Sequence, residues 1–382
     1  MMNFDWEKSL NDFDPAVRGR ALKEACLAVK NGAVACAAPS DIHNMHCHSF
    51  FSYNGYGYSP SYIVYLAKKM GFRAVGLVDF DVLDGVDEFL AAAEMFGMRA
   101  VCGMETRVFI PELADKEINS PGEPGIAYHL GCGFTASQVP PEQRDFAAML
   151  RRNANNRTRR LVDLVNGFLD PVTIDFDAVA GRFTPGGNVT ERHCCSAYRE
   201  AAEKVFPDKE KRAAFWASKL GLDGAAAAGL LDNPVKLEGT IRSKTMKSGG
   251  VGYIAPSPEA FPTLDSMNRF IIGCGATPTL AWLNGLSAGE NDLDGLLRLH
   301  KKFGTKAATL IPDRNIHGAT PEKTAVLQAE LDRFIASCRA AGLPLLAGTE
   351  MNAPGQKLVD DFADAALAKH IPALLAGIDA FC

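Results

Sequence analysis

The sequence predicts an α/β fold whose parallel sheet is closed, or nearly closed, into a barrel. About seven short apolar segments, many of them β-branched, alternate with segments of helical period. The chain has 382 residues and is 47% hydrophobic, which is enough for one barrel-sized domain with an insertion. An open, doubly wound sheet is the alternative. It loses support because neither a GxGxxG nor a P-loop motif follows the first strand.

The chain begins with a predicted helical extension over residues 1–40. A helix is predicted over residues 15–31, because Asp14 is a suitable N-cap, Pro15 stands in the first turn and Gly32 provides a stop. The small-residue stretch "AVACAAPS" then links this helix to the first strand. We interpret the helix as an addition to the barrel.

Residues 41–137 are predicted to form the first part of the barrel. A helix from Pro60 to Met70, ended by Gly71, separates the first two strands, and a second helix follows the second strand. The four predicted strands are the segment containing His46 and His48, then "RAVGLVDF", "RAVCGMETRVF" and "GIAYHLGCGF".

The alternation of strands and helices stops near Gln138. Residues 138–256 carry helical patterns without intervening apolar strands, which predicts a helical insertion. The alternation resumes with a helix from about Ser257 to Ile272, so residues 257–382 are predicted to complete the barrel. Its last three strands are "GATPTLAWL", "KAATLIP" and "PLLAGTE".

Composition favours a reduced, cytoplasmic protein with small-molecule partners. The net charge of −5 gives no basic surface that would favour nucleic acid or an anionic membrane. The ten cysteines show no repeated short spacing of the kind found in disulfide frameworks or zinc sites. The N-terminus lacks the pattern of a secretory signal, and no apolar run approaches the roughly 20 residues needed to cross a bilayer.

Metal-competent side chains recur where the predicted strands end. His46 and His48 are two residues apart on the first strand, so both imidazoles point to one side and can bind one cation. The carboxyl ends of parallel barrel strands build one face of the molecule, where active sites lie. Similar residues occur in or after the other six strands: Asp79, Glu105, His129, Thr277, Asp313 with Arg314, and Glu350. The sequence therefore predicts a metal site on that face.

Several segments resemble the successive motifs of the PHP (polymerase and histidinol phosphatase) family of metal-dependent hydrolases. They are "NMHCHSFFSYNGYGYSP", "GLVDFDVLDG", "VCGMETRVF", "YHLGCGF", "ERHCCSAYREA", "GATPTLAWL" and "LAGTEMNAPG". The resemblance covers nearly the whole chain from about Asp41. It implies a distorted (βα)7 TIM-like barrel with two or three metals and a helical insertion like that of the family's longer phosphoesterases.

The resemblance also implies a set of metal ligands. His46 and His48 would bind a first metal, Glu105 would bridge it to a second, and Glu350 would stand where the family usually has Asp. His129 would be a ligand of the second metal. His193 matches the histidine of the insertion motif, which lies near the metals or the substrate phosphate in relatives, so we expect it to act as a ligand or in catalysis.

Three departures from the family pattern fall where relatives hold a third metal. Phe80 replaces a histidine after Asp79, Asn352 replaces the final histidine of the closing motif, and Tyr53 or Asn54 occupies a further ligand position. We therefore expect two divalent cations, chosen from Mn, Fe or Zn, and no third. The fifth motif has Thr277 where histidine is usual, which weakens the expected second metal site.

The predicted function is hydrolysis by a dinuclear metal centre that activates water, with a phosphate ester as the expected substrate. Asp79 is expected to orient a ligand or to act as a general acid or base, although it could instead cap the helix that begins near Asp84. Expected contacts to an anionic, phosphorylated substrate come from Arg192, Arg314, Asn315, His317 and Asn352. The alternatives are an amidohydrolase-type carbon–nitrogen hydrolase and a non-catalytic binding protein on a degenerate barrel.

Overall fold

The computed structural model describes residues 5–255 and 260–382, which form two compact units. The first unit comprises residues 5–150 and 260–382, and the second comprises residues 151–255. The first contains all the strands of the described chain. The predicted insertion, residues 138–256, overlaps the second unit.

Seven strands form one sheet whose order follows the chain, β1 to β7. They are β1 (His43–Cys47), β2 (Ala74–Phe80), β3 (Arg99–Phe109), β4 (Ile126–Cys132), β5 (Thr277–Trp282), β6 (Ala307–Leu310) and β7 (Leu345–Ala347). The ends of the sheet approach each other, because the Asn44 Nδ2 on β1 donates to the Thr349 carbonyl beyond β7 at 2.9 Å. The predicted barrel is confirmed as a distorted, nearly closed one.

One strand runs against the predicted direction. β4 is antiparallel to both β3 and β5, whereas the remaining neighbours are parallel. The connection between β3 and β4, residues 110–125, contains only a short 3-10 turn at Pro111–Leu113. No crossover helix carries the chain back to start a parallel strand, so β4 returns beside β3 in the opposite sense. The expectation of a wholly parallel sheet was wrong at this strand.

Helices cover the outside of the sheet and precede it. Asp14 caps helix α2 (Pro15–Lys30) through its side chain, with Pro15 in the first turn, as predicted. The predicted start of a helix at Ser257 lies outside the described residues, and the helix observed there, α11 (Leu264–Gly273), begins at Leu264. The helices of this unit are α1 (Trp6–Ser9), α2 (Pro15–Lys30), α3 (Pro60–Lys69), α4 (Val86–Phe96), α11 (Leu264–Gly273), α12 (Ala288–Asn291), α13 (Leu293–Lys302), α14 (Pro321–Ala340), α15 (Ala365–Ala368) and α16 (Ile371–Asp379).

Successive side chains along the strands point alternately into two apolar layers. Val75, Leu77 and Cys102 face the helices in the main core, whereas Ala74, Val78 and Val101 belong to a small cluster inside the barrel. The interior side chains next along β2 and β3 are Phe80 and Glu105, which are partners in the ladder. Polar groups therefore begin where the interior apolar layer ends.

The second unit is helical around its own core. Trp216 and Tyr198 are fully buried in it. Its helices are α5 (Arg144–Leu169), which begins in the first unit, α6 (Phe176–Phe183), α7 (Glu191–Val205), α8 (Lys209–Leu220), α9 (Gly224–Leu231) and α10 (Pro234–Thr245). None of the helices in the described residues is both long and apolar enough to cross a lipid bilayer.

Candidate metal centre

Two imidazoles converge on one carboxylate oxygen inside the barrel. The Nε2 atoms of His46 and His48 lie 3.3 and 3.1 Å from Oε2 of Glu105. All three residues are buried, and a set of their ligand atoms lies within 4.8 Å of one another. Among the His, Cys, Asp and Glu side chains of the described residues, these three form the group that could hold a metal ion. The predicted pair of histidines and Glu105 is thus brought together.

A β-bulge in β1 makes this convergence possible. The register with β2 shifts between Asn44 and Cys47, so the consecutive residues Met45 and His46 both face the barrel interior. Asn44 supports the bulge, because its Oδ1 accepts the His46 N–H at 2.9 Å while its Nδ2 donates across to the chain beyond β7. Strict alternation would turn His46 outward behind Met45.

Burial and mutual charge act in opposite directions on these groups. Burial would raise the pKa of Glu105, but the facing His46 and His48 lower it to about 2. Burial would lower the pKa of His48, but the hydrogen bond and charge of Glu105 raise it. The site therefore favours an ionised Glu105 carboxylate facing the two imidazoles.

The donor set fits a divalent cation. The buried Nδ1 atoms of both histidines make no hydrogen bond to the described residues. Two imidazoles and one carboxylate are a donor set that catalytic zinc sites use, with the remaining position open to water or substrate. Mn and Fe also accept such mixed ligands. The residues present therefore fit the metal that the sequence predicts.

Asp79 supports the loop that follows His48. Its Oδ1 accepts the Ser49 N–H at 2.7 Å and the Ser52 hydroxyl at 2.6 Å, and its Oδ2 accepts the Ser49 hydroxyl at 2.6 Å. Burial raises the pKa of Asp79, although these hydrogen bonds oppose the shift. Asp79 does not cap α4, whose N-cap is Gly85. Its contacts favour the predicted orienting role over the capping one.

Two of the substituted family positions have structural contacts here. The Phe80 ring stacks on the His48 imidazole, with centroids 4.2 Å apart. Asn54 is buried, donates to the His48 carbonyl at 2.7 Å and accepts the N–H groups of Tyr56 and Tyr58. An aromatic ring and a loop-forming amide thus occupy positions that would otherwise supply ligands. This arrangement agrees with the expected absence of a third metal, which stays a prediction.

Glu350 lies beside the cluster but is paired with a cation. The main-chain carbonyl of Glu350 accepts the His48 N–H at 3.0 Å, which fixes the distance between the two segments. Its Oε1 accepts from Nη2 of Arg314 at 2.7 Å. Arg314 is 45% exposed and Glu350 is 11% exposed, so the pair lies at a boundary with solvent. Arg314 must turn away before this oxygen can bind a metal.

His129 is not brought to the cluster. It is the ladder partner of Thr106, whereas Glu105 is paired with Leu130, so the His129 side chain faces the helices. Its Nε2 lies 2.6 Å from Oδ1 of Asn268 on α11, and burial lowers its pKa to about 4. The placement corrects the expectation that His129 shares a metal with Glu105. The physical reason is the one-residue alternation of the strand.

Thr277 lies at the start of β5, level with Gly103 and two ladder positions before Glu105. It is the first residue of β5 and pairs with Cys132, the last residue of β4. The inference that Thr277 weakens the second metal site stays a prediction. The carboxyl end of β5 is Trp282.

The predicted substrate residues separate into three groups. Asn315 is fully buried and its Nδ2 donates to the Ile311 carbonyl at 3.0 Å, which is a structural contact away from solvent. His317 is 61% exposed and lies 3.3 Å from Asp364, while Asn352 is partly exposed after Met351, whose φ is 57°. Among these, Arg314 has a side chain that reaches Glu350.

Arg192 and His193 belong to the second unit, in the first turn of α7. The His193 Nδ1 accepts the Thr190 N–H at 3.0 Å as part of a capping box. Burial lowers the pKa of His193 to about 3, so the imidazole is neutral. Their expected roles as ligand and substrate contact stay predictions.

Four residues of the site escaped sequence reasoning. Ser49 and Ser52 follow the histidine motif and donate to Asp79. An aspartate buried at a strand end needs hydrogen-bond donors, and that need could have indicated the two serines. Arg107 and Tyr128 are ladder partners on the interior face. They lie two ladder positions from the Glu105–Leu130 pair, toward the carboxyl end of β3. Alternation along β3 could have located Arg107. Tyr128 could be placed only with the antiparallel direction of β4.

Comparison with known proteins identifies the domain. Residues 44–180 match the family model of the PHP domain. The chain contains a PHP domain. This match confirms the resemblance seen in the motifs. A stretch of 68 residues, 18% of the chain, is also 34% identical to an error-prone DNA polymerase of Cutibacterium acnes, and this match spans 6% of the polymerase.

Solved structures share the barrel. An amidohydrolase from Chromobacterium violaceum, solved with bound sulfate and no metal, superposes with a TM-score of 0.53 at 16% identity, over 86% of this chain and 96% of that one. A protein from Bifidobacterium adolescentis, to which metal-dependent phosphoesterase activity has been ascribed, superposes with a TM-score of 0.51 at 19% identity. The superposition covers 88% of this chain and 98% of that one. At these identities the likeness supports the fold alone. The PHP domain and its His46, His48 and Glu105 cluster support a metal-dependent hydrolase.

Proposed function

We propose that this PHP-domain protein is a metal-dependent phosphoesterase acting on a small anionic substrate. The observation that carries the proposal is the convergence of His46, His48 and Glu105 in a buried site with unpaired imidazole nitrogens. A divalent cation bound there would polarise a phosphoryl oxygen and activate water. The protein's own part is to hold the three ligands rigidly, with Asp79 and the bulge at His46 fixing the two histidines.

Arg314 is the proposed substrate contact. Its guanidinium is half-exposed and already binds a carboxylate at 2.7 Å, and the same fork geometry suits a phosphate. Entry of an anionic substrate would compete with Glu350 for the guanidinium. Glu350 would then be able to turn toward the cluster, which is the role that the motif assigns to it.

The second cation stays a proposal with a defined test. Glu105 has two carboxylate oxygens, and the two imidazoles face one of them. The other oxygen, together with Glu350, is the proposed beginning of a second site. Elemental analysis of reconstituted protein should give two metal ions per chain if this is correct and one if the site is mononuclear.

Hydrolysis of a carbon–nitrogen bond is the second candidate, because one structure with the same fold is an amidohydrolase. Against it, none of the seven strands in the described residues contains a lysine that could be carboxylated to bridge two metals.

The deciding experiment is removal of metal by a chelator, reconstitution with Mn, Fe or Zn, and assay on matched panels of phosphate esters and amides. Turnover of esters that depends on added metal is the expected result. Turnover of amides alone would select the second candidate, and reconstituted protein inert on both panels would contradict both.

A further inference from the structure

A buried cation connects the N-terminal extension to the rest of the first unit. Arg18 lies on α2 and is 4% exposed. Its Nε and Nη2 donate to Oε2 of Glu88 at 2.9 and 2.6 Å, and its Nη1 donates to the Asp12 carbonyl at 2.7 Å. A guanidinium is costly to bury unless its donors are satisfied, so these bonds define its position closely.

The same guanidinium packs on the loop that follows the metal-ligand strand. Its central carbon lies 5.1 Å from the ring centroid of Phe50 and 5.9 Å from that of Phe51, which is cation–π range. The two rings are buried with Val82 in a small cluster that is separate from the main core. Phe13, just before α2, adds an edge-on contact to Phe50 at 5.4 Å.

Each end of this loop is held by a carboxylate, Asp79 at one end and Glu88, the partner of Arg18, at the other. At one end, Ser49 precedes Phe50 and donates its N–H and hydroxyl to Asp79. At the other end, the N–H and hydroxyl of Ser61 donate to Oε1 of Glu88 at 3.1 and 2.8 Å. The loop between Ser49 and Ser61 is therefore held from outside by Arg18 and Glu88, and from inside by Asp79.

We propose that Arg18 is a positioning residue for the metal centre, so that the N-terminal extension is a functional part of the barrel. By holding Phe50 and Phe51, Arg18 keeps Ser49 on Asp79 and thereby keeps His48, the preceding residue, facing Glu105. The inference rests on the proposed function, because the ligand it affects is the metal of that site. Residues that support ligands from outside typically change metal affinity 10- to 100-fold when replaced.

Two measurements test this on the full-length chain. The first is binding of Mn²⁺ alone, with the free ion counted by electron paramagnetic resonance. Arg18→Met should weaken Mn²⁺ binding about tenfold, and Arg18→Lys, which keeps a cation over the rings, should weaken it less. The second is hydrogen exchange of the peptide covering residues 46–60 in metal-free protein. Exchange there should be faster in Arg18→Met than in the unmodified protein.

Two variants separate positioning from general stability. Lys23 is exposed on the same helix, and Lys23→Met should match the unmodified protein in both measurements. Leu331 is fully buried in α14, so Leu331→Ala should lower the melting temperature while leaving Mn²⁺ affinity within about twofold. The proposal is overturned if Arg18→Met leaves exchange of residues 46–60 unchanged, or if it weakens Mn²⁺ binding no more than Leu331→Ala does.

The two arms also distinguish this proposal from the proposed function. If the unmodified protein binds no Mn²⁺, Fe or Zn, the metal centre itself is refuted. The exchange experiment still decides whether Arg18 orders the loop after His48, because it is made without metal.

Discussion

Replacement of Asp79 should be the most damaging change outside the metal ligands. In Asp79→Ala, the Ser49 N–H loses a 2.7 Å bond to a buried carboxylate and cannot turn to another acceptor. The hydroxyls of Ser49 and Ser52 lose bonds of 2.6 Å but can rotate. Bonds to charged groups contribute about 1.5–3 kcal/mol each, so the loss in free energy of unfolding should be about 3–5 kcal/mol.

Asp79→Asn tests the origin of that loss. The amide oxygen can still accept the Ser49 N–H, but the amide nitrogen replaces the oxygen that accepts the Ser49 hydroxyl. We expect a smaller loss of about 1–2 kcal/mol. The assay is urea unfolding followed by circular dichroism, with Asp115→Asn as an exposed control expected to lie within about 0.5 kcal/mol of the unmodified protein. A loss below about 1 kcal/mol for Asp79→Ala would refute the reasoning.

Three further predictions concern the metal, the substrate and pH. Glu105→Gln removes a ligand charge between two imidazoles, so it should abolish metal retention in elemental analysis and lower turnover at least about 100-fold; retained metal would contradict the assigned cluster. Arg314→Met should raise KM for a phosphate ester by about tenfold or more with a smaller effect on kcat, and Lys357→Met, which removes an exposed partner of Asp313, should not. His300 is buried, and its pKa lies well below the ordinary 6.5. Burial is the larger cause, and the nearby His129 is the second. As the pH falls, the unfolded chain therefore takes up this proton before the folded chain does. The contribution of His300 to the free energy of unfolding is present above pH 6.5 and is lost below it by about 1.4 kcal/mol per pH unit. His300→Leu should flatten urea-unfolding stability measured between pH 6.5 and 5 by that amount, and an unchanged slope would show that the imidazole is already protonated in the folded protein.

The cluster could be predicted because its information is local. His46 and His48 share one short segment, and Glu105 lies in a strand whose apolar pattern is clear. Family motifs placed these residues on one face, and the structure brings them within bonding distance. What the pattern did not contain is the bulge between Asn44 and Cys47, because a bulge is a property of two paired strands.

The misplacement of His129 has one cause, the direction of its strand. Alternation of apolar residues is the same read forward or backward, so "GIAYHLGCGF" predicted a strand without predicting that it returns antiparallel. His129 was therefore expected at the site and faces Asn268 instead, while Tyr128 was not considered.

The reversed strand changes which connection can shape the substrate entrance. Because β4 runs backward, the segment before it, residues 110–125, meets the end of the barrel that holds Glu105 and Arg107. That segment contributes Glu123, which pairs with Arg107 at 2.7 Å, and Asn119, which bonds to both main-chain groups of Tyr128. Changes of substrate preference among related chains should therefore concentrate in the length and sequence of this segment, where an insertion leaves the ligand-bearing strands intact.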